Sequence, residues 1–141
     1  MDKTRVVIIG GGPAGMLLSH ILSEHRIDNV VLEKHTKDHV LKRIRAGVLE
    51  PGSVKLLRDF GLSTRLDKEA KFHDSTFIVW AGSERLEIDT MKYTGQQMAA
   101  YGQTAITEDL YAARAKSNGR IITETEEIKL HDITSSKPTV T

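Results

Sequence analysis

The chain contains no cysteine, and this absence excludes several kinds of chemistry at once. Disulfide bridges, thiolate metal sites and cysteine nucleophiles all need a residue that the 141-residue sequence does not have. The chain has six histidines, of which His35 and His39 are four positions apart, and we predict that none of them belongs to a metal site. No side chain stands out as a nucleophile or general base, so we predict no catalytic residue in this stretch.

Long apolar runs and blocks of like charge are also missing. The polar start of the chain is followed by four strongly apolar residues, Val6–Ile9, too few for a signal-peptide core or a membrane span. The 20 Lys and Arg residues balance 19 Asp and Glu residues and are dispersed along the chain. The composition thus gives no indication of a membrane or nucleic acid as partner, and we expect the protein in the cytoplasm.

Glycine is concentrated directly after that first apolar run, where residues 10–15 read Gly-Gly-Gly-Pro-Ala-Gly. Gly10 permits a tight turn out of a strand, Gly12 lets a pyrophosphate approach the backbone, and Gly15 lets a helix pack closely on the sheet. A phosphate would then lie at the helix N-terminus, where unpaired N–H groups and the helix dipole favour negative charge. The segment predicts a phosphate-binding loop.

A second apolar run ends at Glu33. This position lies within the window of about 20 residues in which the dinucleotide-binding fingerprint places a carboxylate for a ribose hydroxyl. The glycine pattern alone would be weak evidence. The order of the elements is more specific: a strand, a glycine turn, a helix, a second strand and an acidic residue. This order favours dinucleotide binding over an ordinary glycine-rich turn and predicts a Rossmann-like βαβ unit.

Apolar spacing predicts three helices in the chain. The first runs over residues 13–25, the second over 51–60 with Gly61 as a left-handed cap, and the third begins at Thr104 or Thr107 and ends near residues 118–119. Residues 28–29 are interpreted as the turn into the second strand.

Alternation with a period of two begins at Ser75 and predicts a β-hairpin with its turn at residues 81–84. The first strand is apolar on both faces, so we expect it to be covered. Short strands are predicted at 121–122, 128–130 and 139–141. These are too few parallel strands for a complete Rossmann sheet, so we expect residues 1–141 to be the first part of a larger domain.

Four segments together resemble the N-terminal third of the single-component flavoprotein aromatic hydroxylases: residues 7–15, 29–33, 43–50 and 101–104. The glycine pattern is common to many flavin and nicotinamide enzymes, whereas Arg-Ile-Arg-Ala-Gly-Val-Leu-Glu and Tyr-Gly-Gln-Thr are much more specific. The resemblance implies an α/β fold, a Rossmann-like FAD-binding βαβ domain with an additional β-hairpin. The resemblance also implies that this domain is incomplete in residues 1–141, because the rest of the FAD domain and the substrate domain would lie beyond Thr141.

The resemblance also implies roles for individual residues. The FAD pyrophosphate would be held by Gly10, Gly12, Pro13, Ala14 and Gly15, and the adenosine ribose by Glu33. The flavin and its phosphates would lie beside Arg43, Ile44, Arg45, Ala46, Gly47 and Val48, and Gln103 would contact the flavin or its ribityl chain. Arg45 is the best candidate for a charge-assisted phosphate bond. Spacing alone favours a non-functional interpretation, in which Arg43 and Arg45 are solvated surface charges that pair with Glu50.

The activity implied by the resemblance is FAD-dependent hydroxylation of an aromatic acid, 4-hydroxybenzoate, to 3,4-dihydroxybenzoate. NADPH or NADH and O2 would be the co-substrates, and the full-length enzyme would be a homodimer. Lys34, His35 and His39 occupy the segment that in this family helps to decide between NADPH and NADH; an exposed polar helix start is an equally good interpretation. Two alternatives stay open, another FAD-dependent aromatic hydroxylase or oxidase, and a non-enzymatic dinucleotide-binding module.

Overall fold

The computed structural model describes residues 2–82 and 84–141 and alternates short strands with helices. In chain order the elements are β1 (Val6–Ile9), α1 (Pro13–Glu24), β2 (Asn29–Leu32), α2 (Lys37–Lys42), β3 (Val48–Leu49), α3 (Pro51–Asp59), α4 (Leu66–Glu69), β4 (Lys71–His73), β5 (Ser75–Ile78), β6 (Leu86–Asp89), α5 (Thr90–Thr94), β7 (Met98–Ala100), α6 (Gln103–Lys116), β8 (Arg120–Ile122), β9 (Leu130–His131) and β10 (Thr139–Val140). They form two units, Met1–Arg43 with Leu110–Thr141, and Ile44–Asp109.

The first unit contains a parallel sheet in which β2 lies between β1 and β8. Helix α1 connects β1 to β2 and packs on both strands, which confirms the predicted βαβ unit. Its core includes Ile8, Met16, Val31 and Leu110, all buried. Burying a side chain of this size stabilises the fold by about 1.5–3 kcal/mol. The C-terminal strand β10 pairs antiparallel with β9, the partner that a strand at this position needs.

The prediction of a turn at residues 28–29 is wrong for Asn29, which is the buried first residue of β2. Its Oδ1 accepts a hydrogen bond of 2.6 Å from Ser19 Oγ, and its Nδ2 donates to Ser23 Oγ and to the Ile27 carbonyl at 3.0 Å each. Arg114 NH1 also donates to Ser23 Oγ, at 2.6 Å. This polar cluster fixes the start of β2 against α1.

The second unit contains the antiparallel sheet β3-β7-β4, the hairpin β5-β6, and helices α3 and α4. Helix α3 buries Val54 and Leu57, as its apolar spacing predicts. Gly61 follows it with φ +70°, the predicted left-handed cap.

The hairpin is paired as predicted, from Ser75 opposite Asp89 to Ile78 opposite Leu86. Ser83, in the predicted turn, lies outside the described residues. The cover expected for the first strand is not provided by the described chain, since Phe77 and Ile78 are both exposed. The strand thus presents apolar side chains on both faces.

Helix α6 begins at Gln103, so the predicted start at Thr104 or Thr107 is wrong. The Ile106 N–H donates to the Gly102 carbonyl. Thr107 is buried inside the helix, and its hydroxyl donates to the Gln103 carbonyl at 2.7 Å. A threonine of this kind satisfies its hydroxyl on the preceding turn and does not cap the helix.

Candidate cofactor-binding site

The glycine loop after β1 has a backbone geometry that depends on glycine at two positions. Gly10 has φ +112°, a conformation that residues with a Cβ rarely adopt, and its N–H donates to the Leu32 carbonyl at 2.7 Å. A Cβ on Gly15 would collide with the Gly10 carbonyl oxygen and lie 3.2 Å from Ile8 Cγ2. The close approach of α1 to the loop therefore depends on glycine at position 15.

The N-terminus of α1 faces open space. Gly12 precedes the helix without a side-chain cap, and Pro13 takes the first helical position. The Met16 N–H donates to the Gly12 carbonyl, so the N–H groups of Ala14 and Gly15 precede the first bond of the helix. A Cβ on Gly12 would meet nothing within 4 Å. An anion can approach this backbone directly.

Glu33 is the residue that joins the loop to the end of β2. Its carboxylate is buried with 8% of the residue exposed, and Oε2 accepts a hydrogen bond of 2.6 Å from the Gly11 N–H. Oε1 accepts one of 2.9 Å from the His35 N–H. A carboxylate has about four acceptor positions, so this one keeps capacity for hydroxyl donors. The predicted phosphate loop and the predicted ribose carboxylate are thus brought together.

Tyr111 belongs to the same site and was not predicted from the sequence. A Cβ on Gly11 would lie 2.6 Å from the Tyr111 hydroxyl oxygen and 3.0 Å from Glu33 Cβ, so both side chains pack against Gly11. Burial, with a smaller contribution from the charge of Glu33, raises the pKa of the Tyr111 phenol. Apolar spacing along α6 could have indicated that Tyr111 is buried, but not that it meets residue 11.

In the second unit, the two most specific sequence segments lie side by side. The Tyr101 N–H donates to the Gly47 carbonyl at 2.9 Å, and β3, which starts at Val48, pairs with β7. A Cβ on Gly47 would collide with the Tyr101 carbonyl and lie 2.8 Å from the Gln103 nitrogen. Gly47, Val48 and Gln103 are therefore neighbours, as predicted residues of one site should be.

Polar contacts of the Tyr101 side chain position the segment of residues 101–103. The Tyr101 hydroxyl donates to Asp109 Oδ2 at 2.7 Å, and Arg65 NH1 lies 3.6 Å from Asp109 Oδ1. Burial, together with the hydrogen bond to Asp109, raises the pKa of Tyr101. The phenol stays protonated and acts here as a fixed hydrogen-bond donor.

The side chains of residues 43–46 point into solvent, and Ile44 is 91% exposed. Across residues 2–82 and 84–141, neither Arg43 nor Arg45 forms an ion pair within 4 Å, so the predicted pairing with Glu50 is not formed. Both guanidinium groups are thus available to an anionic ligand.

The segment after Glu33 forms a short, exposed basic helix. Thr36 caps α2, with its hydroxyl oxygen accepting from the His39 N–H at 3.1 Å, and the rings of His35 and His39 stack with centroids 4.1 Å apart. Within the described chain, no group of three or more His, Asp or Glu side chains is placed to bind a metal ion. No described helix is long and apolar enough to cross a bilayer.

Comparison with known proteins agrees with this geometry. A family model described as an FAD binding domain matches residues 3–141. The p-hydroxybenzoate hydroxylase of Acinetobacter baylyi is 38% identical over 131 residues, which cover 92% of this chain and 32% of the relative. The FAD-dependent monooxygenase cdmI of Talaromyces verruculosus is 29% identical over 85% of this chain and 27% of its own length. The chain therefore spans about a third of the length of these relatives.

Solved structures show the same fold. The p-nitrophenol 4-monooxygenase PnpA of Pseudomonas putida superposes with a TM-score of 0.73 and 25% identity, over 90% of this chain and 34% of PnpA. The Diels-Alderase PyrE3 superposes with a TM-score of 0.77 and 22% identity, over 96% of this chain and 28% of PyrE3, which shows the fold alone. The chain belongs to the FAD binding domain family, and the relatives that it matches include FAD-dependent monooxygenases.

Proposed function

We propose that the full-length protein carrying this chain is a flavoprotein hydroxylase that converts 4-hydroxybenzoate to 3,4-dihydroxybenzoate with NADPH or NADH and O2. The main support is the 38% identity, over 92% of this chain, to a relative named p-hydroxybenzoate hydroxylase. PnpA, whose name also specifies a para-substituted phenol as substrate, shares the fold at 25% identity.

The described residues fit the cofactor that this reaction needs. FAD, when bound, supplies the redox chemistry, and the protein supplies binding, orientation and electrostatics. The open N-terminus of α1 would bind the pyrophosphate through the N–H groups of Ala14 and Gly15. The spare acceptor positions of Glu33 would bind the adenosine ribose hydroxyls.

Residues 43–48 and Gln103 would supply the remaining contacts of the cofactor. In this proposal, Arg43 and Arg45 bind phosphate oxygens, because their guanidinium groups are exposed and have no carboxylate partner among the described residues. Residues 44–48 and Gln103 line the flavin, with Gly47 allowing the two segments to touch. None of these residues takes part in proton transfer in our proposal.

We propose that the exposed basic segment after Glu33 contacts the nicotinamide dinucleotide. Lys34, His35 and His39 are exposed, and cations there suit the phosphates of NADPH or NADH. Comparing reduction of the bound flavin by the two co-substrates would give the preference directly.

The test uses the purified full-length protein. The proposal predicts a visible flavin spectrum and oxidation of NADPH or NADH that 4-hydroxybenzoate stimulates, with one equivalent of 3,4-dihydroxybenzoate formed per O2 consumed. 4-Nitrophenol and benzoate serve as comparison substrates. Flavin binding with turnover of another aromatic would replace the substrate in the proposal, and a colourless protein that binds no FAD would contradict it altogether.

A further inference from the structure

Tyr111 is the one buried phenol of the first unit, and its hydroxyl has no hydrogen-bond partner among the described residues. The residue is 3% exposed and lies on the buried side of α6 together with Leu110 and Arg114. A buried hydroxyl without a partner carries a desolvation cost, so such groups call for an explanation.

The position of this hydroxyl points to its use. It packs against the Cα of Gly11, where the methylene groups of Glu33 also lie, because a Cβ on Gly11 would be 2.6 Å from the phenol oxygen and 3.0–3.2 Å from Glu33 Cβ and Cγ. Tyr111 therefore packs against Gly11, which is one partner of the 2.6 Å hydrogen bond between Gly11 and Glu33.

Lys37 lies close to the same side chain. Its Nζ is 5.6 Å from the centroid of the Tyr111 ring, within the range of a cation–π contact. The Tyr111 side chain is thus close to both the glycine loop and the first residue of α2, whereas its hydroxyl has no hydrogen-bond partner among the described residues.

We propose that Tyr111 is a positioning residue for the ribose-binding carboxylate, and that its hydroxyl donates a hydrogen bond to Glu33 once an adenosine ribose occupies the site. This inference rests on the proposed binding of FAD. The Glu33 carboxylate accepts two backbone N–H groups and has capacity for a third donor. A bond between a neutral hydroxyl and a charged carboxylate is stronger than one between neutral groups, and it is strongest where water is excluded.

This role makes an unusual pair of predictions for Tyr111→Phe. In the FAD-free protein the substitution removes a hydroxyl that has no partner, so the melting temperature should stay the same or rise. Binding of FAD should nevertheless weaken about tenfold, the effect of one hydrogen bond to a charged group. If Tyr111 only fills space, its substitution should lower both the melting temperature and the affinity for FAD, or change neither.

The experiment is an equilibrium titration of full-length apoprotein with FAD, with ADP and with FMN. We expect Tyr111→Phe to weaken FAD and ADP binding about equally and to leave FMN binding unchanged, because FMN has no adenosine ribose. Tyr93→Phe, the same exchange at a residue that is 75% exposed in the second unit, is the matched control and should change nothing.

A double substitution tests whether Tyr111 acts through Glu33. In a Glu33→Ala background, Tyr111→Phe should cause no further loss of FAD affinity, whereas independent roles would add. If Glu33→Ala weakens FAD binding and Tyr111→Phe does not, the inference is overturned while FAD binding stands. If the unaltered apoprotein binds no FAD, the proposed function is overturned with it.

Discussion

The Glu33 carboxylate and the Gly11 N–H, 22 positions apart in the chain, share a hydrogen bond of 2.6 Å. This bond ties the end of β2 to the loop that follows β1, so the groups proposed for the ribose and the pyrophosphate are fixed relative to each other. The Tyr111 hydroxyl packs against Gly11, and the open N-terminus of α1 follows Gly11 along the chain. Such preorganisation reduces the ordering that a ligand must bring about on binding.

Gly47→Ala should destabilise the protein by about 1–3 kcal/mol, the usual cost of overpacking. The added methyl group would collide with the Tyr101 carbonyl and push on the Gln103 nitrogen. Thermal unfolding of the full-length protein measures the effect.

Gly52→Ala is the matched control for this change. Gly52 lies in α3, and a Cβ there would meet nothing within 4 Å. Alanine is the better helix former, so this variant should be neutral or more stable by up to about 1 kcal/mol. Equal melting temperatures for the two variants would show that the contact of Gly47 with residues 101–103 is unimportant.

Arg45→Lys tests the proposed phosphate contact, for which we place Arg45 between the flavin and the incoming nicotinamide dinucleotide. Lysine keeps the charge but loses the planar fork that can hold two phosphate oxygens. We expect the KM for the nicotinamide co-substrate to rise about tenfold, equivalent to about 1.4 kcal/mol, with little change in affinity for 4-hydroxybenzoate. Arg5→Lys, also at an exposed position, should leave both constants unchanged. Wild-type flavin reduction and FAD retention in the Arg45 variant would remove Arg45 from the site.

Asn29→Leu tests the polar cluster at the start of β2. Leucine is similar in size but leaves the hydroxyls of Ser19 and Ser23 without this partner, so stability should fall by about 1–3 kcal/mol. Flavin binding by the folded protein should not change, because Asn29 lies at the opposite end of β2 from Glu33. Denaturant unfolding gives the value, with Gln96→Leu, at an exposed side chain, as the comparison. No loss of stability would mean that the hydroxyls find other partners.

The first βαβ unit could be predicted because its signals are local. Alternation of apolar residues, the turn glycine and a proline at the first helical position each depend on a few consecutive residues. The same holds for α3 and for the hairpin. The ribose carboxylate was found because the fingerprint fixes its distance along the chain from the glycines.

The missed features depend on contacts between distant residues. Strands β3, β4 and β7 have two or three residues each, too few for a visible alternation. Asn29 was interpreted as a turn residue because its type is common in turns, and its partners in α1 cannot be seen in the sequence. Tyr111 lies 100 positions after Gly11, and only the packing of α6 brings them together.

The most direct test of the central claim is an FAD titration of the full-length apoprotein compared with its Glu33→Ala variant. Loss of a charge-assisted hydrogen bond of about 1.5–3 kcal/mol should weaken binding roughly ten- to a hundredfold. Glu24→Ala, at the exposed end of α1, should bind FAD as the parent does. Equal FAD affinity in the Glu33 variant and the parent would contradict the assignment of this loop and carboxylate as the cofactor site.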